Sequence, residues 1–278
     1  MTIIHKLINE FKNANILYKL IYLNVGIFLV YNILSVISSL FILDVGPSLE
    51  KLILPSNTST LIKQPWSIIS YMFFHKTFIH LLFNMIWLHF AGKLFLDYFN
   101  EKQFFSTYIL GGICGGILFV LSFNYLPAFE IANQNAKAMG ASASVLAIMF
   151  AISTHIPNYR IQIPFIGMIK IKYLAIALII LDVISIPKGN AGGHIAHIGG
   201  ALFGYIYAKQ LNKGIDISKN LYQLINIVSL KNIFKKQNKT KKNQTKIDTI
   251  LEKISKSGYS SLNKQEKEIL FNASKENK

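Results

Sequence analysis

The chain has 278 residues, 52% of them hydrophobic, with a mean hydropathy of +0.39. That balance disfavours a soluble globular domain and fits a polytopic membrane protein. The net charge is +16, and the single cysteine, Cys114, excludes an intrachain disulfide framework and any all-cysteine metal site.

A hydrocarbon core of about 30 Å needs roughly 20 apolar residues per spanning helix. Six segments are candidates in chain order: Leu20–Leu43, Trp66–Phe95, Phe104–Leu126, Gly140–His155, Ile171–Ile186 and Gly192–Lys209. The fold class expected is an all-α membrane protein, a six-transmembrane-helix bundle with a small C-terminal cytoplasmic helical hairpin. The fourth segment is short, which is tolerable where its non-helical entry, Asn133-Gln134-Asn135-Ala136-Lys137, is buried in protein or lines a wet cavity. No apolar core followed by a small-residue cleavage site opens the chain, so no cleavable signal peptide is expected. The domain boundaries read from composition are a cytoplasmic N-terminal segment 1–19, a membrane domain 20–210, a basic linker 211–244 and a helical C-terminal domain 245–278.

Lysine and arginine set orientation. Lys6, Lys12 and Lys19 precede the first segment, Arg160, Lys170 and Lys172 separate the fourth from the fifth, and the lysine-rich tail follows the sixth. Both termini are therefore expected in the cytoplasm, in a multi-pass protein of a bacterial inner membrane. Residues 211–278 hold 15 lysines against 6 acids, a net charge of +9. Such a tail beside a membrane is an electrostatic anchor to anionic lipid. It shows no aromatic stacking platform, and no nucleic-acid partner is expected.

Polar side chains at membrane depth are costly and mark function. The second segment carries His75, His80, Asn84 and Trp87. His80 and Asn84 are four apart and share a face. Both can donate to the oxyanion of a tetrahedral intermediate, or else staple two helices together. Ser142 opens the fourth segment in Gly140-Ala141-Ser142-Ala143. A helix N-terminus offers free N–H groups and a positive dipole end, suited to an oxyanion beside a nucleophilic serine. The alternative is a small packing residue.

His197 stands in Gly192-Gly193-His194-Ile195-Ala196-His197-Ile198-Gly199-Gly200. Gly193, Gly200, Ala201 and Gly204 share its face, which lets a neighbouring helix bring a serine within reach of the imidazole. His194 lies on the edge of that face. No metal site and no cofactor are expected: His194 and His197 are spaced i, i+3 and His75 and His80 can join them, but H-E-x-x-H is lacking and the one acid inside a span is Asp182. Asp182 is read as an interfacial residue, with a part in orienting a histidine left open. His89 and His155 read as interfacial or packing residues, and Cys114 as a small packing residue.

Taken together, His80-Leu81-Leu82-Phe83-Asn84, Gly140-Ala141-Ser142 and Gly192-x-x-x-Ala196-His197-x-x-Gly200 resemble the rhomboid family of intramembrane serine proteases. The resemblance covers about residues 15–210. It implies a Ser–His dyad without an acid, Ser142 as nucleophile and His197 as base, with His80, Asn84 and the Ser142 N–H as the oxyanion hole. It also implies membrane-spanning protein substrates and a water-filled cavity open to the outer side. Two positions depart from the pattern: Ala143 stands where the family often has Gly, and Trp66 is followed by Ser67 rather than Arg. The C-terminal hairpin resembles a small domain appended to some bacterial rhomboids. Two rival readings are a rhomboid-like protein that binds membrane helices without cutting them, and a transporter. The latter predicts paired intramembrane charges, and Asp182 stands alone among acids in the spans.

Overall fold

The structure is a computed structural model and describes residues 3–43, 46–131, 135–163 and 167–219, with residues 221, 250, 253–254, 262–263 and 265–267 of the tail. Two compact units are present, Met1–Lys219 and Asn220–Lys278.

The first unit is mostly helical. An amphipathic helix α1 (Ile3–Asn13) leads into α2 (Ile16–Leu40), which Asn15 caps through its side chain. Only Leu17, Leu20 and Asn24 of α2 are buried. Leu29, Val30, Ile33 and Val36 lie exposed, as befits a helix whose solvent is lipid. Asn24 holds α2 to the bundle: its amide donates to the Leu20 carbonyl at 2.8 Å and to Tyr108 Oη at 3.2 Å.

A helix continuous from Trp66 to Phe95 does not form. Short helices α3 (Gly46–Glu50) and α4 (Thr58–Lys63) flank a two-residue strand β1 (Leu54–Pro55). Helix α5 (Ser67–Ser70) and a 3₁₀ turn (Tyr71–Phe73) follow, and the spanning helix α6 starts only at Phe78 and runs to Leu96. Three side chains of 66–71 find partners elsewhere. Trp66 Nε1 donates to the Lys51 carbonyl, Ser70 Oγ to the Leu52 carbonyl and Tyr71 Oη to the Gly112 carbonyl. Thr77 then caps α6, accepting from the His80 N–H at 3.2 Å. His75 therefore lies in the connection before the helix and not on it.

Helix α7 (Glu101–Tyr125), opened by an Asn100–Gln103 capping box, is the most enclosed of the long helices. Gly111, Gly112, Gly115 and Gly116 are buried along it. This doubled small-xxx-small pattern lets α8 and α10 press against its backbone. Strand β2 (Lys137–Ala138) pairs antiparallel with β1, matching Leu54 with Ala138, and so ties the first loop to the segment before Ser142. Helix α8 (Ser142–His155) follows, then a hairpin of β3 (Arg160–Ile163) and β4 (Gly167–Lys170), then α9 (Ile171–Ser185) and α10 (Ala191–Leu211). The two short ladders correct the all-α expectation: the fold is mostly helical.

Among the described residues three helices, α2, α6 and α7, are long and apolar enough to cross a membrane. Helix α8 spans only about 21 Å at 1.5 Å per residue. Ten of its 14 residues are buried, so protein rather than lipid surrounds it. In the tail, Lys253 Nζ meets Glu266 Oε1 at 2.9 Å, and Ile250 and Leu262 are buried. Most of the expected linker beyond residue 219 and most of the expected hairpin lie outside the described residues, as do Asn133 and Gln134 of the expected polar entry.

Candidate active site

The site forms where the start of α8 meets the first turns of α10. Gly200 and Gly204 carry α10 onto α8 so closely that a Cβ at either would strike the Ala143 or the Ala147 carbonyl oxygen. A Cβ on Gly115 of α7 would lie 2.5 Å from the Ala143 Cβ and 2.7 Å from the Ala196 carbonyl oxygen. Three backbones thus meet around Ser142. The result is a hydrogen bond of 2.6 Å between Ser142 Oγ and His197 Nε2. Gly193, placed by its sequence position on the packing face, instead faces the Asn190 side chain at the start of α10. It takes no part in the helix seam, because it precedes the stretch of α10 that α8 crosses.

The other imidazole nitrogen, His197 Nδ1, lies 2.8 Å from Asp182 Oδ1. His194 Nδ1 lies 2.8 Å from the same oxygen. A carboxylate only accepts, so each imidazole donates an Nδ1–H to it, which leaves His197 Nε2 with its lone pair toward Ser142. Of the two readings of Asp182, these contacts favour a part in orienting a histidine over an interfacial place. The signal was in the sequence. Asp182 lies six residues before Lys188 in the α9–α10 turn and His194 six after it. Antiparallel helices rising equally per residue bring such positions to one depth.

Ser142 is the first residue of α8, so its N–H has no intrahelical acceptor. Gly140, at φ +132°, turns the chain into the helix. A Cβ there would lie 2.7 Å from His80 Cε1 and 2.9 Å from His80 Nε2, so the His80 ring stands directly over this turn. His80 and Asn84 share the face expected, and both line one cavity with Ser142 and His197. One Asn84 amide N–H donates to the His80 carbonyl at 2.9 Å, which leaves the second N–H for the cavity.

His75 has a place that its sequence position concealed. Its Nε2 accepts the Ala141 N–H at 3.4 Å, and its ring meets that of His80 edge to face at 5.2 Å. Burial, reinforced by the neighbouring His80, pushes its imidazole down to about 4, so it is neutral near pH 7 and keeps a lone pair for that bond. The Gly140 N–H donates to the Tyr71 carbonyl at 3.0 Å. The segment before α6 thereby holds the turn into α8 at two successive residues.

Ser142, His80 and His197 lie between two cavities. One, about 260 Å³, is walled by Phe83 and Trp87 of α6, Met149 of α8, and Leu178 and Leu181 of α9. The other, about 820 Å³, is lined by polar groups including Glu50, Lys76, Asn135, Lys137 and Asn190. The Ser142–His197 pair thus borders an apolar room on one side and a more polar one on the other. Asp182, His194 and His197 also offer one ligand atom each within 4.8 Å of one another, whereas His75 and His80 stand outside that cluster. The carboxylate of this cluster is Asp182, the one acid inside the expected spans.

The chain carrying these features is similar to known proteins. The Rhomboid domain family matches residues 63–213, and a family of unknown function, DUF6576, matches residues 231–276. The chain is similar to the Presenilin-associated rhomboid-like protein A, mitochondrial, of Danio rerio, at 29% identity over 138 residues, covering 49% of this chain and 34% of that protein. It is similar to RHOMBOID-like protein 12, mitochondrial, of Arabidopsis thaliana, at 27% over 157 residues, covering 53% of this chain and 47% of that protein. The human Presenilin-associated rhomboid-like protein, mitochondrial, is 26% identical over 138 residues, covering 49% of this chain and 35% of that protein. The aligned part spans between a third and a half of the length of these relatives.

Proposed function

This chain belongs to the rhomboid family, and from that premise we propose that it is an intramembrane serine endopeptidase that cuts membrane-spanning segments of other proteins. The observation that carries the reading is the 2.6 Å contact of Ser142 Oγ with His197 Nε2, backed by Asp182 at Nδ1.

In this reading Ser142 attacks the scissile carbonyl while His197 Nε2 takes its proton. Asp182 is a positioning residue: it holds the imidazole in the tautomer that accepts from Ser142 and stabilises the imidazolium that follows. The developing oxyanion is met by the Ser142 N–H, the free Asn84 N–H and His80. His197 then protonates the leaving amine, and water from the polar cavity hydrolyses the acyl-enzyme. A substrate helix hides its carbonyls in its own hydrogen bonds, so it unwinds near the scissile bond, and small or helix-breaking residues there are favoured.

The finer architecture belongs to the same proposal. Helices α2, α6, α7, α8, α9 and α10 are the six spans, the last three accommodated by packing against one another. Both termini lie in the cytoplasm of a bacterial inner membrane, by the lysine distribution, although the relatives named above are mitochondrial by name. Fusions of a compartment-sensitive reporter to each terminus check the orientation. The activity is tested by co-expressing a single-span reporter with wild type, Ser142→Ala and His197→Ala at matched membrane levels. Cleavage by wild type alone is expected. Cleavage by all three would assign the cutting to another protease.

A further inference from the structure

Asp182, His194 and His197 are bound by neither the chemistry nor the packing to serve the serine alone. We propose that they form a site for a divalent transition-metal ion, zinc(II) foremost, whose occupancy switches the serine centre off. The inhibitory part rests on the protease reading above; the binding part does not.

The ligand set is two imidazoles and a carboxylate. These donors suit zinc and its first-row neighbours, whereas magnesium and calcium take oxygen ligands. The donor atoms are already gathered: both Nδ1 atoms stand 2.8 Å from Asp182 Oδ1, and all three lie within 4.8 Å of one another. Zinc at about 2.0–2.2 Å from each, at tetrahedral angles, separates them by about 3.4 Å. Around zinc the two Nδ1–Oδ1 separations widen by about 0.6 Å and the Nδ1–Nδ1 separation closes to about 3.4 Å, changes of the size that side-chain torsions supply. Three protein ligands leave a fourth position for water. The side chains of Asp182, His194 and His197 are 11%, 21% and 20% exposed, so an ion reaches them. Asp182 comes from α9 and both histidines from one face of α10, across a short turn, so the cluster needs no rearrangement of the fold.

Occupancy and catalysis exclude each other through one proton. With Asp182 as partner, His197 carries its hydrogen on Nδ1 and presents a lone pair at Nε2 to Ser142. Zinc takes the Nδ1 lone pair, so the single hydrogen of the neutral imidazole moves to Nε2 through solvent. Nε2 then donates to Ser142 Oγ and cannot accept its proton. Zinc also engages Asp182 and removes the carboxylate that held the working tautomer. His194 has no contact with Ser142 in this scheme, and its contribution is to make a two-ligand cluster into a three-ligand one.

The test uses the full-length protein in nanodiscs. Cobalt(II) is added to Ser142→Ala, which keeps all three ligands and cannot cleave, and visible absorption is recorded while zinc(II) is titrated in. A tetrahedral cobalt band, displaced by zinc and weakened by at least about tenfold in affinity when His194→Ala is added, is expected. No band, or one that survives His194→Ala, overturns the site. In parallel, reporter cleavage is measured against buffered free zinc, each protein relative to its own metal-free rate. Wild type should slow at least about tenfold near 10 Kd, and His194→Ala by less than about twofold. Equal slowing of both, or none in wild type, overturns the switch. His194→Phe, which keeps a ring of similar shape, serves where His194→Ala yields no folded protein. If no protein cleaves, the protease reading fails, and the cobalt measurement still decides whether the metal binds.

Discussion

The two walls of the candidate site are built by opposite means. On the α8–α10 wall, glycines bring backbones into contact, and Ser142, His197 and Asp182 are fixed in an unbroken chain of hydrogen bonds of 2.6 and 2.8 Å. On the α6 wall, the Asn84 amide donates to the His80 carbonyl and the His80 ring meets that of His75, while Phe83 beside them stands exposed. In the proposed reading the nucleophile and its base are thus aligned before a substrate arrives, and the α6 wall supplies the oxyanion donors.

Breaking the α8–α10 wall should have the largest effect. Gly200→Val drives side-chain atoms into the Ala143 carbonyl, parts α8 from α10 and abolishes cleavage. The overpacking should cost about 1–3 kcal/mol or more, read as a lower melting temperature in detergent. Asp182→Asn keeps the shape but can favour the wrong tautomer. A loss on the order of 10²–10⁴ in kcat with KM little changed is expected from steady-state cleavage of a reporter. A purely structural role would instead lower the melting temperature and leave kcat per folded enzyme intact.

The α6 wall should give smaller effects. Asn84→Ala should lose on the order of 10²–10³ in kcat, about 2.7–4 kcal/mol, if it meets the oxyanion. Equal kcat would reduce Asn84 to a helix staple. His75→Phe retains the ring and loses the acceptor for the Ala141 N–H, costing about 0.5–1.5 kcal/mol of stability. It also tests a pH effect. His75 is held down to about 4, below its value in an unfolded chain, so the unfolded state takes up the extra proton as pH falls. Its contribution is intact above about pH 6.5 and is lost between there and about pH 4. Melting temperatures across that window should fall less steeply for His75→Phe than for wild type.

The same contrast explains what was legible in the sequence. The seam between α8 and α10 was, because a serine at a helix start and a histidine among glycines are both local patterns. The long apolar helices were too, since lipid imposes a length. The pairing of β1 with β2, the break of the second segment before Phe78 and the grip of His75 on Ala141 were not. Each depends on a partner between about 15 and 85 residues away, such as Lys51 for Trp66 or Ala138 for Leu54. The glycines of α7 were visible as a doubled small-residue repeat and escaped notice because the segment reads as a uniform apolar run. In the sequence alone Asp182 stays between two readings, because an acid near a helix end has an ordinary interfacial explanation beside a part in orienting a histidine. Comparing its depth with that of His194 across the short turn reveals the pair.

The central claim is that Ser142 is a nucleophile made reactive by His197. The most direct measurement is to treat the purified full-length protein with a fluorophosphonate and map the adduct by mass spectrometry. The account predicts one modified serine, Ser142, with labelling lost in His197→Ala and slowed in Asp182→Asn. An adduct on Ser144 or another serine, or labelling of Ser142 that is unchanged in His197→Ala, would contradict it.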